Sequence, residues 1–251
     1  MSEHVAHGHA EEVSVWPAVI TIGILFLLPF AFAFKFVYHE PLFAAICFGI
    51  GVPLVIAGIS GWVKETVIAG EVGEGVGLPA MGWFILAEAL IFLTFFASYW
   101  VMRLGASDWP PEGSVAMPQL LPAIMTLVLV ASSFTIHVAE AKLDNGDRGG
   151  FKTWLIITML LGTTFLCMSG YEWNHLFHIG FTPDTNSFSS SFFSITGFHG
   201  AHVFVGLSIF LAILIPAMMG KINDGFVKSG ALYWHFVDII WFFVVSQLYY
   251  W

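Results

Sequence analysis

Seven stretches of this chain are apolar for long enough to cross about 30 Å of hydrocarbon, and that property limits the fold more tightly than any motif. They lie near residues 14–34, 41–63, 79–102, 117–139, 153–177, 191–219 and 229–251. Backbone N–H and C=O groups in lipid must be satisfied within the segment, so runs of this length are read as helices. The fold class is all-α, an integral membrane protein with seven transmembrane helices in a single membrane domain over residues 1–251. Composition agrees, since 58% of the 251 residues are hydrophobic and 10% charged, too few for the surface of a water-soluble domain. The separators "KFVYHEP", "KETVIAGEVGEGVG", "RLGASDWPPEGS", "KLDNGDRGG", "HIGFTPDTNS" and "GKINDGFVKSG" carry the expected breakers and charges. All are too short for a soluble domain between spans. No internal repeat is visible, which argues against transporter plans built from duplicated halves.

The cations set the expected orientation. The side that carries the N-terminus also receives Lys64, Lys142, Arg148, Lys152, Lys221 and Lys228, and the other side receives only Lys35 and Arg103. The N-terminus is therefore expected in the cytoplasm and the C-terminus outside, with the longer connections at 103–116 and 178–190 facing outward. A net charge of -9 and singly scattered cations argue against nucleic acid as a partner. The polar tail at 1–13 has no Lys or Arg, so no cleaved signal peptide is expected. His4, His7 and His9 read as a short solvated tail in preference to a metal-binding tract. Cys47 and Cys167 each lie in an apolar run and read as small buried hydrophobes.

A charge at the bilayer centre costs at least about 2.5–3.5 kcal/mol, so each ionisable residue inside a span calls for a partner or a purpose. Glu88 lies about 15 Å into the third span at 1.5 Å per residue. It reads either as a proton-binding or lipid-contacting carboxylate or as a neutral Glu hydrogen-bonded to a neighbouring helix. Glu172 and His175, one turn apart in the fifth span, form half of a di-iron Glu-x-x-His pattern that has no second copy in the chain. His199 and His202 in "TGFHGAHVFVG" are expected on one face of the sixth span. Two histidines at this spacing cannot ligate opposite faces of one haem, so packing is preferred and no metal site is assigned. Gly197, Gly200 and Gly206 are expected to let a neighbouring helix approach closely. His235 and Asp238 in the seventh span could support each other as a pair, as helix-to-helix glue or as a proton relay. His137 and Glu140 read as interfacial.

"TGFHGAHVFVG" followed by "YWHFVDIIWFF", with "GWFILAEALIFLTFF" upstream, resembles subunit III of the haem-copper cytochrome oxidases. The resemblance extends over essentially the whole chain, including a fourth helix that ends in the turn Gly146-Asp147-Arg148. It implies two N-terminal helices splayed from a five-helix bundle, with phospholipid in the cleft. On the same basis Glu88, Glu172 and Trp62 become candidates linked to protons or lipid, and His199, His202, His235 and Asp238 become helix-packing or relay residues. Where the family often carries a histidine pair, this chain has Glu140 and Ala141.

The function implied is a non-catalytic core subunit of a proton-pumping terminal oxidase that supports proton uptake and the stability of the catalytic subunit. No cofactor is expected in this chain, and haem and copper are expected in partner subunits I and II, with cytochrome c as electron donor. The expected setting is a bacterial inner membrane. The equivalent subunit of a quinol oxidase or of a nitric oxide reductase is the alternative. A secondary transporter and a membrane metalloenzyme are disfavoured by the missing repeats and the incomplete ligand sets.

Overall fold

The fold is that of a computed structural model, which describes residues 14–65 and 77–251. The tail at 1–13, with His4, His7 and His9, and residues 66–76 of the stretch after Trp62 lie outside the described residues. Among the described residues there is no strand, and seven helices are long and apolar enough to span a membrane. Helix α1 covers Trp16–Leu25 and continues through π-helical turns at Phe26–Phe30 and Ala33–Val37. Pro29 falls inside the first of these turns, where a residue without an N–H disturbs the regular hydrogen-bond ladder. The others are α2 (Pro41–Val63), α3 (Gly77–Gly105), α4 (Leu120–Asp144), α5 (Arg148–His178), α6 (Ser187–Met218) and α7 (Asp224–Val245), the last extended by a π-helical turn at Ser246–Tyr250.

Each apolar run corresponds to one helix, and polar caps carry several helices past the apolar runs. Asn186 accepts from the Ser189 N–H while the Ser189 hydroxyl accepts from the Asn186 N–H, a reciprocal capping box. The cap starts α6 at Ser187, so the connection expected over 178–190 shrinks to 179–186. At the other end of α5, Asp147 caps the helix by accepting from the Gly150 N–H at 2.8 Å. That N–H and Lys142, 3.3 Å away, hold the Asp147 carboxyl below the ordinary aspartate range.

The chain divides into two compact units, Met1–Val72 and Gly73–Trp251. In the first, α1 and α2 form a hairpin whose backbones meet at glycines. A Cβ placed on Gly51 would come within 2.9 Å of the Gly23 carbonyl oxygen, the close approach that small residues permit in lipid. The Ser14 hydroxyl donates to Glu65 at 2.8 Å and ties the two ends together.

The second unit is a five-helix bundle with an aromatic core. Helix α7 contributes most to it, with Tyr233, Trp234 and Trp241 fully buried. The Trp234 ring sits between Gly162 of α5 and Gly206 of α6, where an added Cβ would approach it to 2.6 and 2.7 Å. Its Nε1–H donates to Ser132 of α4 at 2.9 Å, and the Trp241 Nε1–H donates to Thr126 at 2.9 Å. The glycines of the sixth span thus act differently from the expectation. Gly206 and Gly197 make room for the flat rings of Trp234 and Trp173, not for a neighbouring backbone, and Gly200 has only Leu166 at 3.9 Å. Cys47 is buried as expected, but Cys167 is exposed, because its position on α5 points away from the bundle core.

The two ends of the bundle are fastened by charge. At the basic end Lys228 pairs with Asp144 at 3.3 Å, and the Arg148 guanidinium donates to the Gly220 carbonyl at 3.3 Å. At the opposite end Arg103 donates to the Trp251 carbonyl and lies 3.9 Å over the Trp251 ring. Tyr99 and Trp100 donate to Gln247, each at 2.8 Å.

Gly206→Ala should destabilise the bundle by about 1–3 kcal/mol, because the new methyl overpacks the Trp234 seat. Gly200→Ala should leave stability nearly unchanged. Thermal unfolding of both variants in detergent checks this, and equal effects would contradict the assigned seat.

Candidate functional site

Two intramembrane residues singled out separately by the sequence stand together. His202 on α6 and Glu88 on α3 meet with Nε2 and Oε2 3.0 Å apart, their side chains 10% and 16% exposed. Helix α6 reaches the site because it packs against α3, α5 and α7. The other ring nitrogen, Nδ1, lies 2.8 Å from the Phe198 carbonyl oxygen. A carbonyl only accepts, so Nδ1 carries a hydrogen, and the contact between Nε2 and Oε2 needs one proton more. That proton belongs either to the carboxyl or to the imidazole. In both cases the pair is neutral overall, which is how two ionisable groups can share a low-dielectric site.

The surroundings hold this geometry. Phe92 and Phe198 pack on the His202 ring with centroids 4.9 and 4.5 Å away. The Tyr233 hydroxyl of α7 donates to the His202 carbonyl at 3.2 Å. The site therefore takes its groups from α3, α6 and α7.

His199 does not share this environment, contrary to the expectation of a common face. Residues three apart on a helix differ by about 60° in direction, enough in a bundle for them to meet different neighbours. The fully buried His199 ring packs on Phe165 of α5 and Trp241 of α7, with centroids 5.6 and 5.1 Å away. Neither of its nitrogens has a hydrogen-bond partner among the described residues.

His235 and Asp238 also differ from the direct pair expected. A third residue, Ser133 of α4, joins them, its hydroxyl donating to Asp238 Oδ2 and lying 3.1 Å from His235 Nδ1. Glu172 is buried, and its Oε2 accepts from the Tyr249 hydroxyl at 2.6 Å while Oε1 has no partner among the described residues. With His175 it lines a cavity of about 320 Å³ beside Val115 and Pro118. Trp62 occupies the last turn of α2 and is 44% exposed. Among the described residues no three His, Cys, Asp or Glu side chains form a group that could hold a metal ion.

Sequence reasoning missed Ser133, Tyr233 and Tyr249. Ser133 had a usable signal, since Ser133, His137 and Glu140 repeat at helical spacing and mark a polar stripe. The tyrosines gave none, because their hydroxyls act across the bundle.

The shared proton couples Glu88 and His202 energetically. His202→Leu leaves the carboxyl without its partner, and the double variant with Glu88→Gln should recover part of the lost stability. A double-mutant cycle should return a coupling of about 0.5–3 kcal/mol. Additive losses would mean that the two side chains do not interact.

The model of the family described as cytochrome c oxidase subunit III matches residues 7–251, a stretch that contains every residue placed above. The chain is 35% identical over 206 residues to cytochrome c oxidase subunit 3 of Synechocystis sp., covering 78% of this chain and 87% of the relative. It is 36% identical over 179 residues to the probable cytochrome c oxidase subunit 3 of Mycobacterium leprae, covering 70% and 87%. Over 265 residues it is 30% identical to cytochrome c oxidase subunit 3 of Mycosarcoma maydis, covering 97% and 94%. With seven membrane-spanning helices and a match along nearly its whole length, the chain belongs to the cytochrome c oxidase subunit III family.

Proposed function

We propose that this chain is a non-catalytic core subunit of a proton-pumping haem-copper terminal oxidase, where it supports proton uptake and stabilises the catalytic subunit. The redox chemistry is assigned to partner subunits I and II, which would hold the haem and copper and take electrons from cytochrome c. The observation that carries the reading is the Glu88–His202 pair, a neutral unit sharing one proton at membrane depth. Within such a unit the proton can move between carboxyl and imidazole along one hydrogen bond.

The setting follows from charge and apolarity. The excess of Lys and Arg on the side of Lys142, Arg148 and Lys228 supports a cytoplasmic N-terminus and an external C-terminus. A bacterial inner membrane is the proposed location, in keeping with the bacterial relatives. Phospholipid binding is supported by an apolar groove of about 530 Å³ within the hairpin, lined by Leu27, Ala31, Ala44 and Phe48, with the Lys35 cation among its lining residues. Such a groove suits an acyl chain, and the cation suits a phosphate. Trp62 is assigned to lipid contact on the strength of its exposed ring.

The test is Glu88→Gln in the assembled complex, since the amide keeps the shape and a hydrogen bond but cannot carry the shared proton. The subunit should remain bound, with slower proton uptake or earlier loss of activity during sustained turnover. Uptake and lifetime equal to the unaltered complex would contradict the role given to Glu88.

A further inference from the structure

Helices α4 and α7 face each other along a seam that carries two polar stripes. On α4, Ser133, His137, Glu140 and Asp144 recur at intervals of four, three and four residues, which places them on one helical face. On α7, Lys228, His235 and Asp238 recur at intervals of seven and three. Lys228 meets Asp144 at the basic end, and His235 and Asp238 meet Ser133 further in. Eleven residues separate Ser133 from Asp144, about 16 Å along the helix. The inner end is the most buried. Asp144 and His137 are exposed, Glu140, His235 and Ser133 are half-buried, and Asp238 is 5% exposed. His137 lies one turn from both Ser133 and Glu140 on α4.

At the inner end the Ser133 hydroxyl donates to Asp238 Oδ2, and its oxygen can accept from His235 Nδ1, 3.1 Å away. The other carboxyl oxygen, Oδ1, is buried with no partner among the described residues. Among those residues, then, the hydrogen-bonded route to this carboxyl runs through Ser133.

We infer that Asp238 is a buried proton-storage site and that Ser133 is the transfer element connecting it to His235 and the basic end of the seam. The step balances. A proton passes from Nδ1 of an imidazolium His235 to Ser133 Oγ while the hydroxyl proton of Ser133 passes to Asp238 Oδ2. His235 becomes neutral, the Asp238 carboxylate becomes a neutral acid, and Ser133 is again a hydroxyl. His235 is then reprotonated from water on the side of His137 and Glu140. Other titratable or charged groups on the helices packed here include Asp144 and Lys228, paired with each other, Lys142, paired with Asp147, Asp224 and Tyr233 of α7, Arg103 of α3, and Glu88, His202 and His199, placed as described above. The inference does not rest on the role given to Glu88, and either can fail without the other.

Infrared spectra of the purified complex, unaltered minus Asp238→Asn, should contain a protonated-carboxyl band that shifts in deuterated water. Its hydrogen–deuterium exchange should slow by about a hundredfold in Ser133→Ala and recover in Ser133→Thr, which restores a hydroxyl. His235→Gln, which keeps a hydrogen bond to Ser133 but cannot deliver a proton, should slow it similarly, and this variant decides the matter if Ser133→Ala does not assemble. Absence of the carboxyl band overturns the inference, as does exchange at the unaltered rate in Ser133→Ala or in His235→Gln. A purely structural role for Ser133 would alter stability without changing the exchange rate.

Discussion

Hydrocarbon offers no hydrogen-bond partner, and this constraint shapes most of the bundle. Each indole N–H named above finds a hydroxyl or an amide oxygen on another helix. Trp234 reaches Ser132, Trp241 reaches Thr126, and Trp100 reaches Gln247. These contacts fix which helices are neighbours, and the glycines beneath the rings fix how closely the helices lie. The Glu88–His202 pair obeys the same rule with ionisable groups. Two residues that would each be costly alone in lipid become acceptable as one neutral unit.

The exceptions to the rule are as informative as its observance. Four residues keep buried polar atoms without partners among the described residues: both His199 nitrogens, Glu172 Oε1, Asp238 Oδ1 and Ser229 Oγ. All but Ser229 are titratable. An unpaired buried polar atom costs about 1–3 kcal/mol, so a chain that keeps several in ionisable side chains retains them against stability. Asp238 has a hydrogen-bonded connection toward the basic end and His199 has none, a difference in environment that separates a residue able to exchange protons from one confined among aromatic rings.

Much of the architecture was legible in the sequence because apolar length is a local property. All seven spans could be read directly, and caps such as Asn186 and Asp147 added polar turns to the helices they start. Pairing is not local, and there the reading stopped short. Glu88 and His202 were both recognisable as residues needing partners, but nothing in a one-dimensional pattern joins positions 114 residues apart. The three-residue spacing of His199 and His202 suggested a shared face, whereas the 60° between them sends one ring to α3 and the other between α5 and α7. Likewise His235 and Asp238 suggested a direct contact that in the fold passes through Ser133. Short-range spacing marked the right residues and misassigned their neighbours.

Family membership places the chain in an oxidase complex, and the geometry gives it protonatable pairs at membrane depth. The central claim is that it works alongside redox centres carried by other subunits. The most direct measurement is to purify the complex in mild detergent through a tag on this chain, record its visible spectrum, and repeat the spectrum and metal analysis after separating the chain. The account predicts haem absorption in the complex, with all haem and copper remaining with the partner subunits after separation. Stoichiometric haem, copper or iron retained by the isolated chain, or a tagged preparation without haem, would contradict it.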